Sequence, residues 1–441
     1  MTDRRDFIKT AGIAAGAAMM PRFSFASVKG SDRIKVGLIG CGARGTAAAT
    51  NMIQADQNIE IVALADLFED KPALAEKRIS DFCAANFPKE KGDIIKEGKV
   101  KKFFGWDCAD QLLKEDVDVV IEATPPVFRT PHYAKIVEAG KHAFLEKPAC
   151  VDAVQARKML ELSKKADEKG LSVVCGTQRR YHEAYQEIIK RIHDGMIGEI
   201  ICAQCYWNDG GYVGHSQHDP KTEALPTDSM EYQIRNWWSF IWSSGDHIVE
   251  QHVHNLDVAM WAFGDNRKPL DVRAWGGRST DLPVPVYGNR FSHFAADFDM
   301  GRGARIASYC HQDDGTSRHI GERIVGTKGI AEPTYFGNIS RITDLDGNTL
   351  YTAPEKIPQA IVMEHKFLLD SIRSGRRVNR LGTLVNSTLL AIAGRMSAYS
   401  GKKFKFDWVL AKSKESLEPE VCAFVKKDIA SVPVPGKTPL V

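Results

Sequence analysis

No stretch of this sequence is both apolar and long enough to span a bilayer, which argues against a permanent membrane anchor. An excess of one charge is lacking as well. Lys and Arg number 59 against 56 Asp and Glu, a formal net charge of +3, and so small a bias leaves no footprint for nucleic acid. Internal repeats and low-complexity tracts are also missing. The nine cysteines are odd in number and widely scattered, which does not read as a disulfide framework. Cys202 and Cys205 have CxxC spacing, but they lie in an apparent strand, where residues three apart face opposite ways. Buried free thiols are the better reading. What remains is an ordinary globular composition over 441 residues, enough for two domains and a sizeable core.

The chain is organised around residues 33–45, an apolar run ending in a GxGxxG loop that opens a helix. Gly40 lets the chain turn tightly after the strand, Gly42 lets backbone approach a pyrophosphate, and Gly45 lets the next helix pack close. Ala43 and Arg44 complete the loop. The helix over residues 46–53 would aim its free N–H groups and positive dipole end at phosphates. A second apolar run, residues 59–66, ends in Asp66, about 20 residues beyond the loop, where ribose hydroxyls of NAD would sit. The alternative for Asp66 is a helix N-cap or a solvated strand end. No basic residue directly follows it, which favours NAD over NADP, although Arg44 keeps NADP open.

Residues 3–9, DRRDFIK, precede an Ala- and Gly-rich run over 10–20 and then Ser24-Phe25-Ala26. That order predicts a bacterial twin-arginine signal over residues 1–26, cleaved after Ala26, and hence a periplasmic protein handled by the twin-arginine export machinery. Because that route carries folded proteins, a tightly held cofactor restored to its starting redox state in place is the corresponding expectation.

Beyond Asp66 the pattern predicts a helix over 67–84 and a Lys- and Gly-rich connection to about residue 102. Strands follow over 118–123, 141–145 and 171–176, alternating with helices over 131–139 and 152–169. This alternation means a parallel sheet covered on both faces. Thr124-Pro125-Pro126 leaves one strand and Glu146-Lys147-Pro148 another. A cation at the carboxyl edge of such a sheet lies where ligands bind and can stabilise an alkoxide; the plainer alternative for Lys147 is a surface ion pair with Glu146.

The second half begins with Gln178-Arg179-Arg180-Tyr181 at a strand exit, a polar corner that could touch cofactor or substrate or simply be solvated. Residues 206–244 are rich in aromatics, including Trp237, which could line a sugar pocket or pack the wall between domains. Read as one helix, Glu250, His254 and Asp257 fall at i, i+4 and i+7 and share a face. A carboxylate on either side of an imidazole would orient it and tune it as a general base. His247, His252, His254 and Glu250 lack a familiar zinc spacing, so no metal is expected. Segments 272–278, 290–300, 305–311 and 319–325 alternate like antiparallel strands. Helices over 360–373 and 383–399 return to the domain boundary, and a tail without an assigned role follows Trp408.

The glycine loop, Asp66, Thr124-Pro125 and above all Glu146-Lys147-Pro148 resemble the Gfo/Idh/MocA family, which includes glucose–fructose oxidoreductase and inositol dehydrogenase. The resemblance covers about residues 32–408. It implies that Lys147 serves binding and catalysis, that Thr124, Pro125 and Glu146 lie beside the cofactor, and that the chain forms a homodimer or homotetramer. The family's DxxxH histidine falls on His254, as proton acceptor from a substrate hydroxyl, and its following carboxylate on Asp257. Two departures stand out. Glu250 replaces the usual aspartate and His252 a common glycine, so the substrate of inositol or glucose enzymes is not carried over.

The combined expectation is an α/β protein with an N-terminal Rossmann doubly wound parallel sheet over 32–150. A C-terminal α/β domain over 151–408 carries a large, mostly antiparallel open sheet, with 151–180 and the late helices packed back on the first domain, and a tail over 409–441. Its function would be that of an exported NAD-dependent oxidoreductase acting on a secondary hydroxyl of a sugar or glycoside, such as that at C3. His254 would take the hydroxyl proton as hydride passes to the nicotinamide, Lys147 would bind the oxygen, and Glu250 and Asp257 would orient the histidine. Arg179, Tyr181 and Trp237 are candidate substrate contacts. One alternative is a redox-assisted glycosidase, in which transient oxidation permits elimination and the same cofactor returns the hydride. A non-catalytic sugar sensor is the third.

Overall fold

The computed structural model describes residues 32–212, 220–279, 281–336, 339–354 and 359–441, so the predicted signal over 1–26 lies outside the described residues. Six parallel strands form the first sheet: β1 (Ile34–Ile39), β2 (Ile59–Asp66), β3 (Lys101–Phe104), β4 (Val119–Glu122), β5 (His142–Leu145) and β6 (Val173–Cys175). Their order is β3-β2-β1-β4-β5-β6. The direction of winding reverses between β1 and β4, which opens a crevice at the carboxyl ends of the strands. The central strands β1, β4 and β5 are almost wholly buried because helices cover both faces.

β3 lies within what the sequence pattern presents as connection. Its residues, Lys-Lys-Phe-Phe, are largely exposed on an edge, so it has neither the apolar run of a buried strand nor a clean alternation. At the other edge, helix Ala153–Glu168 and β6 extend the sheet past residue 150. The apolar core on one face joins β1 and Phe144 to Leu368, Leu369 and Ile372 of helix Ala360–Ser374.

The second sheet has nine strands: β7 (Ile200–Asn208), β8 (Asp271–Gly277), β9 (His293–Gly301), β10 (Ala304–His311), β11 (His319–Gly326), β12 (Gly329–Glu332), β13 (Arg341–Asp344), β14 (Thr349–Thr352) and β15 (Phe404–Lys405). Their order is β14-β13-β12-β11-β7-β10-β9-β8-β15. The sheet is mostly antiparallel, as expected, with one parallel pair: β10 is antiparallel to β9 but parallel to β7. The long connection from β7 to β8 lets the chain return in the same direction.

Helix Leu381–Ser400 joins the two sheets. Only its first turn and Asn386 reach solvent; the rest is buried, so it packs on all sides between the domains rather than on one face. No described helix is long and apolar enough to cross a membrane.

Candidate active site

Each glycine of the first loop meets a different physical demand. Gly40 has φ +94°, and an added Cβ would lie 2.7 Å from the Thr124 nitrogen. At Gly45 a Cβ would lie 1.8 Å from the Gly40 carbonyl oxygen, so only glycine allows the helix this approach. Gly42 faces open space, with nothing within 4 Å of an added Cβ. It is also the N-cap of helix Ala43–Ala55 and makes no side-chain cap. The first-turn N–H groups and dipole of that helix therefore lie beside open space at Gly42, which fits a dinucleotide pyrophosphate.

Asp66 closes the same loop from the end of β2. Its carboxylate accepts hydrogen bonds from Cys41 N (2.7 Å) and Phe68 N (3.0 Å). Burial pushes this carboxyl above the usual range, while the two backbone donors pull the other way. Each oxygen keeps a second lone pair, so ribose hydroxyls remain acceptable partners.

Arg129 fixes the exits of β4 and β5 relative to each other. Fully buried on helix Pro126–Glu138, it donates to Glu122 Oε2 (2.8 Å) and to the Thr124 carbonyl (2.7 Å), and also to the Pro148 carbonyl. The Arg129 charge holds the Glu122 carboxyl below its ordinary range despite complete burial. Thr124 and Pro125 thus stand beside the glycine loop, as the contact with Gly40 shows.

At the β5 exit, Lys147 Nζ donates to both Glu250 Oε1 and the Glu250 carbonyl, each at 2.7 Å. Glu146 turns the other way and accepts from Arg44 Nε at 2.5 Å. Glu364, buried on helix Ala360–Ser374, feels the charges of Glu146 and Arg44; burial first and Glu146 second push its carboxyl well above the usual range. Arg44 is thereby held through Nε by Glu146.

His254 sits opposite, in the first turn of helix Val253–Phe263. Its ring lies against Trp207 of β7, with centroids 6.0 Å apart and planes 26° apart. No side chain among the described residues hydrogen-bonds it. Burial, then the charges of Lys147, Arg179 and Arg44, hold its pKa well below the ordinary 6.5, so the imidazole is neutral and able to accept a proton. Arg179 lies behind this wall, 5.8 Å from the Trp207 centroid and 5.9 Å from that of Tyr335, and pairs with buried Glu322 at 2.8 Å.

Comparison with known proteins places this arrangement. Residues 34–174 match the sequence model described as oxidoreductase family, NAD-binding Rossmann fold. That model is of the Gfo/Idh/MocA family, and the segment it matches is similar to that family's nucleotide-binding domain. Inositol 2-dehydrogenase of Klebsiella pneumoniae is 24% identical over 240 residues, 54% of this chain and 57% of that protein. A glycosyl hydrolase family 109 protein of Shewanella pealeana is 22% identical over 256 residues, 54% of this chain and 50% of that protein. The chain thus spans about half the length of these curated relatives. Among solved structures, scyllo-inositol dehydrogenase from Lactobacillus casei with bound NAD(H) and scyllo-inositol superposes with a TM-score of 0.63 at 20% identity. That match covers 85% of this chain and all of the other, and it establishes the shared fold.

Against the Gfo/Idh/MocA pattern, the structure brings Lys147, Glu250, His254 and Arg179 together but rearranges their roles. The single helix expected across Glu250, His254 and Asp257 is two, His247–Glu250 and Val253–Phe263. The break falls at Gln251-His252, where buried His252 turns away to Ser308 Oγ (2.8 Å). Glu250 consequently pairs with Lys147 instead of His254. Asp257 does not flank the imidazole either. It is clamped by Arg180 at 2.7 and 2.9 Å and by Ser387 Oγ at 2.6 Å, which ties helix Val253–Phe263 to helix Leu381–Ser400.

Two candidate substrate residues lie elsewhere. Tyr181 packs against Phe367 (5.5 Å) on the back of the nucleotide domain. Trp237 stands edge-on to Trp238 (5.6 Å) and has no ring or hydrogen-bond contact with Lys147 or His254. In both cases the aromatic supplies packing area, which for Tyr181 is neither the ligand contact nor the solvated corner expected of residues 178–181. Conversely, Trp207, Tyr335 and Arg129 escape sequence reasoning. Only Arg129 leaves a signal, a charge on an otherwise apolar helix face. Among the described residues no group of three or more His, Cys, Asp or Glu is placed to hold a metal ion.

Proposed function

We propose that this protein is an NAD-dependent oxidoreductase acting on a secondary hydroxyl of a sugar or glycoside, with C3 as the candidate position. The observation that carries the reading is the placement of a neutral imidazole, His254, and a fixed ammonium, Lys147, at the carboxyl edge of a dinucleotide fold. The N-terminus of helix Ala43–Ala55, Gly42 and Asp66 would hold the cofactor's pyrophosphate and ribose. Bound NAD would supply the acceptor for the hydride that leaves the carbinol carbon.

The chain's own residues supply the rest. His254 removes the hydroxyl proton, for which its depressed basicity keeps it in the free-base form near neutral pH. Lys147 stabilises the developing alkoxide, and Glu250 holds the ammonium in place through two acceptors. Trp207 offers an aromatic face beside His254, suited to the C–H face of a sugar ring. The relatives named for inositol dehydrogenation support a polyol or sugar. The Arg4-Arg5 pattern supports export with captive cofactor, and a second substrate would then restore NAD.

The decisive experiment quantifies NAD(H) released by denaturing the desalted protein, then measures turnover of sugar donors paired with keto-sugar acceptors without added cofactor. Near one equivalent of nucleotide and turnover lost in Lys147→Ala and His254→Ala would support the reading; near-normal turnover in either variant would sink it. The similarity to a glycosyl hydrolase family 109 protein favours one second reading, redox-assisted glycoside cleavage. Sugar release at catalytic NAD with no net oxidation would select it.

A further inference from the structure

The cofactor cleft has an aromatic neighbour drawn from the far end of the sequence. Phe68 follows Asp66 by two residues, and its backbone N–H binds the Asp66 carboxylate. Phe424 stacks on Phe68 with centroids 5.9 Å apart and planes 9° apart. It also lies 5.4 Å from Trp106, just past the β3 exit. Gly105 N donates to the Leu67 carbonyl at 3.1 Å, so these rings stand on adjoining strand exits. Trp106 in turn meets Phe128, which follows the Thr124-Pro125 loop. Phe68, Trp106 and Phe424 therefore cluster at the exits of β2 and β3, with the Arg235 guanidinium over the Phe68 ring at 3.7 Å.

The segment bearing Phe424 is tied down on both sides. Leu417 N donates to Asp152 Oδ2 at 2.7 Å, and Gln155 contacts Glu418. Beyond Phe424, the Val425 carbonyl accepts from Met230 N (2.9 Å), Lys427 N donates to the Asp228 carbonyl (2.7 Å), and Gln233 Nε2 donates to the Lys427 carbonyl (2.6 Å). Between the anchors the ring contacts of Phe424 hold the chain, and Val421 and Phe424 remain about half exposed (53% and 50%). An aromatic left half in water is poorly placed as core packing but well placed to gain from a planar ligand.

We propose that residues 418–427 form a strap whose half-exposed Phe424, backed by Phe68 and Trp106, presents its ring to the adenine of NAD and retains the nucleotide until the strap lifts. The inference rests on the cofactor reading above and extends it by naming what holds the cofactor. Base–aromatic stacking is worth about 1–3 kcal/mol, which corresponds to roughly 5- to 150-fold in dissociation rate.

The test loads the full chain with NADH and follows its fluorescence as excess NAD displaces it. Phe424→Ala is compared with the parent, and so is a chain ending after Lys412, with the thermal midpoint of each cofactor-free protein measured in parallel. The expected result is release at least tenfold faster from Phe424→Ala at an almost unchanged cofactor-free midpoint. If the shortened chain does not fold, Phe424→Ala decides alone. Equal release rates from parent and Phe424→Ala overturn the strap and leave the cofactor reading standing. Tighter binding by Phe424→Ala also overturns it, because Phe424 would then be a plug in the adenine position. A parent that binds neither NAD nor NADH overturns the cofactor reading itself, and the strap with it.

Discussion

Lys147 Nζ lies 2.7 Å from the Glu250 carboxylate and 2.7 Å from the Glu250 carbonyl, so the loop leaving β5 is pinned to the short helix His247–Glu250 of the second domain. Both side chains are nearly buried, which makes the pair a joint between domains as well as a feature of the site. Glu250 thus presents both its carboxylate and its carbonyl to the same ammonium.

Removing the charge from one partner should therefore cost catalysis more than binding. Glu250→Gln keeps the shape but leaves the buried ammonium with neutral acceptors only, and loss of that charge-assisted contact should lower kcat by roughly tenfold to a hundredfold. KM should change by less than fivefold. Steady-state kinetics checks this, and an unchanged kcat would remove Glu250 from the site's working parts.

The position of the acid limb follows from His254. Its pKa is depressed chiefly by burial and next by Lys147, so the proton-accepting form persists below pH 6.5. For oxidation, kcat/KM should stay flat from pH 8 down past 6.5 and fall only at lower pH, because the free base is the active form. An acid limb centred at 6.5 or above would contradict the buried, cation-facing imidazole.

Two glycines should fail in different ways. Gly45→Ala places a Cβ against the Gly40 carbonyl and should destabilise the fold, visible in urea unfolding of the cofactor-free protein. Gly42→Ala meets no protein atom and should unfold normally, yet bind NAD at least tenfold more weakly, read by fluorescence titration. Normal NAD binding by Gly42→Ala would mean that the pyrophosphate does not lie there.

Arg129→Met should cost about 3–5 kcal/mol of stability, because it strands the fully buried Glu122 carboxylate. Urea unfolding measures it, and Arg129→Met with Glu122→Gln should recover part of the loss. A cost below about 1 kcal/mol would show that water reaches Glu122 when the guanidinium is gone.

Much of this protein is written locally, and those parts were legible. The GxGxxG loop, Asp66 and the apolar runs of β1, β2, β4 and β5 specify a parallel nucleotide-binding sheet, because strand burial and glycine conformation depend on near neighbours in the chain. Lys147 and His254 stand out by motif for the same reason. Edge strand β3 escapes because its exposed Lys-Lys-Phe-Phe has no periodicity to read.

The pairing of the polar groups is another matter. Spacing places Glu250, His254 and Asp257 on one ideal helix face, but the tertiary structure breaks that helix at His252 and hands Glu250 to Lys147 and Asp257 to Arg180. The wall of Trp207, Tyr335 and Arg179, and the approach of Phe424 to Phe68, join segments far apart in sequence. The sequence by itself determined which chemical groups the protein possesses and which strand exits present them. Only the tertiary structure decided their partners, because a buried charge takes the nearest counter-charge in space, whatever its distance along the chain.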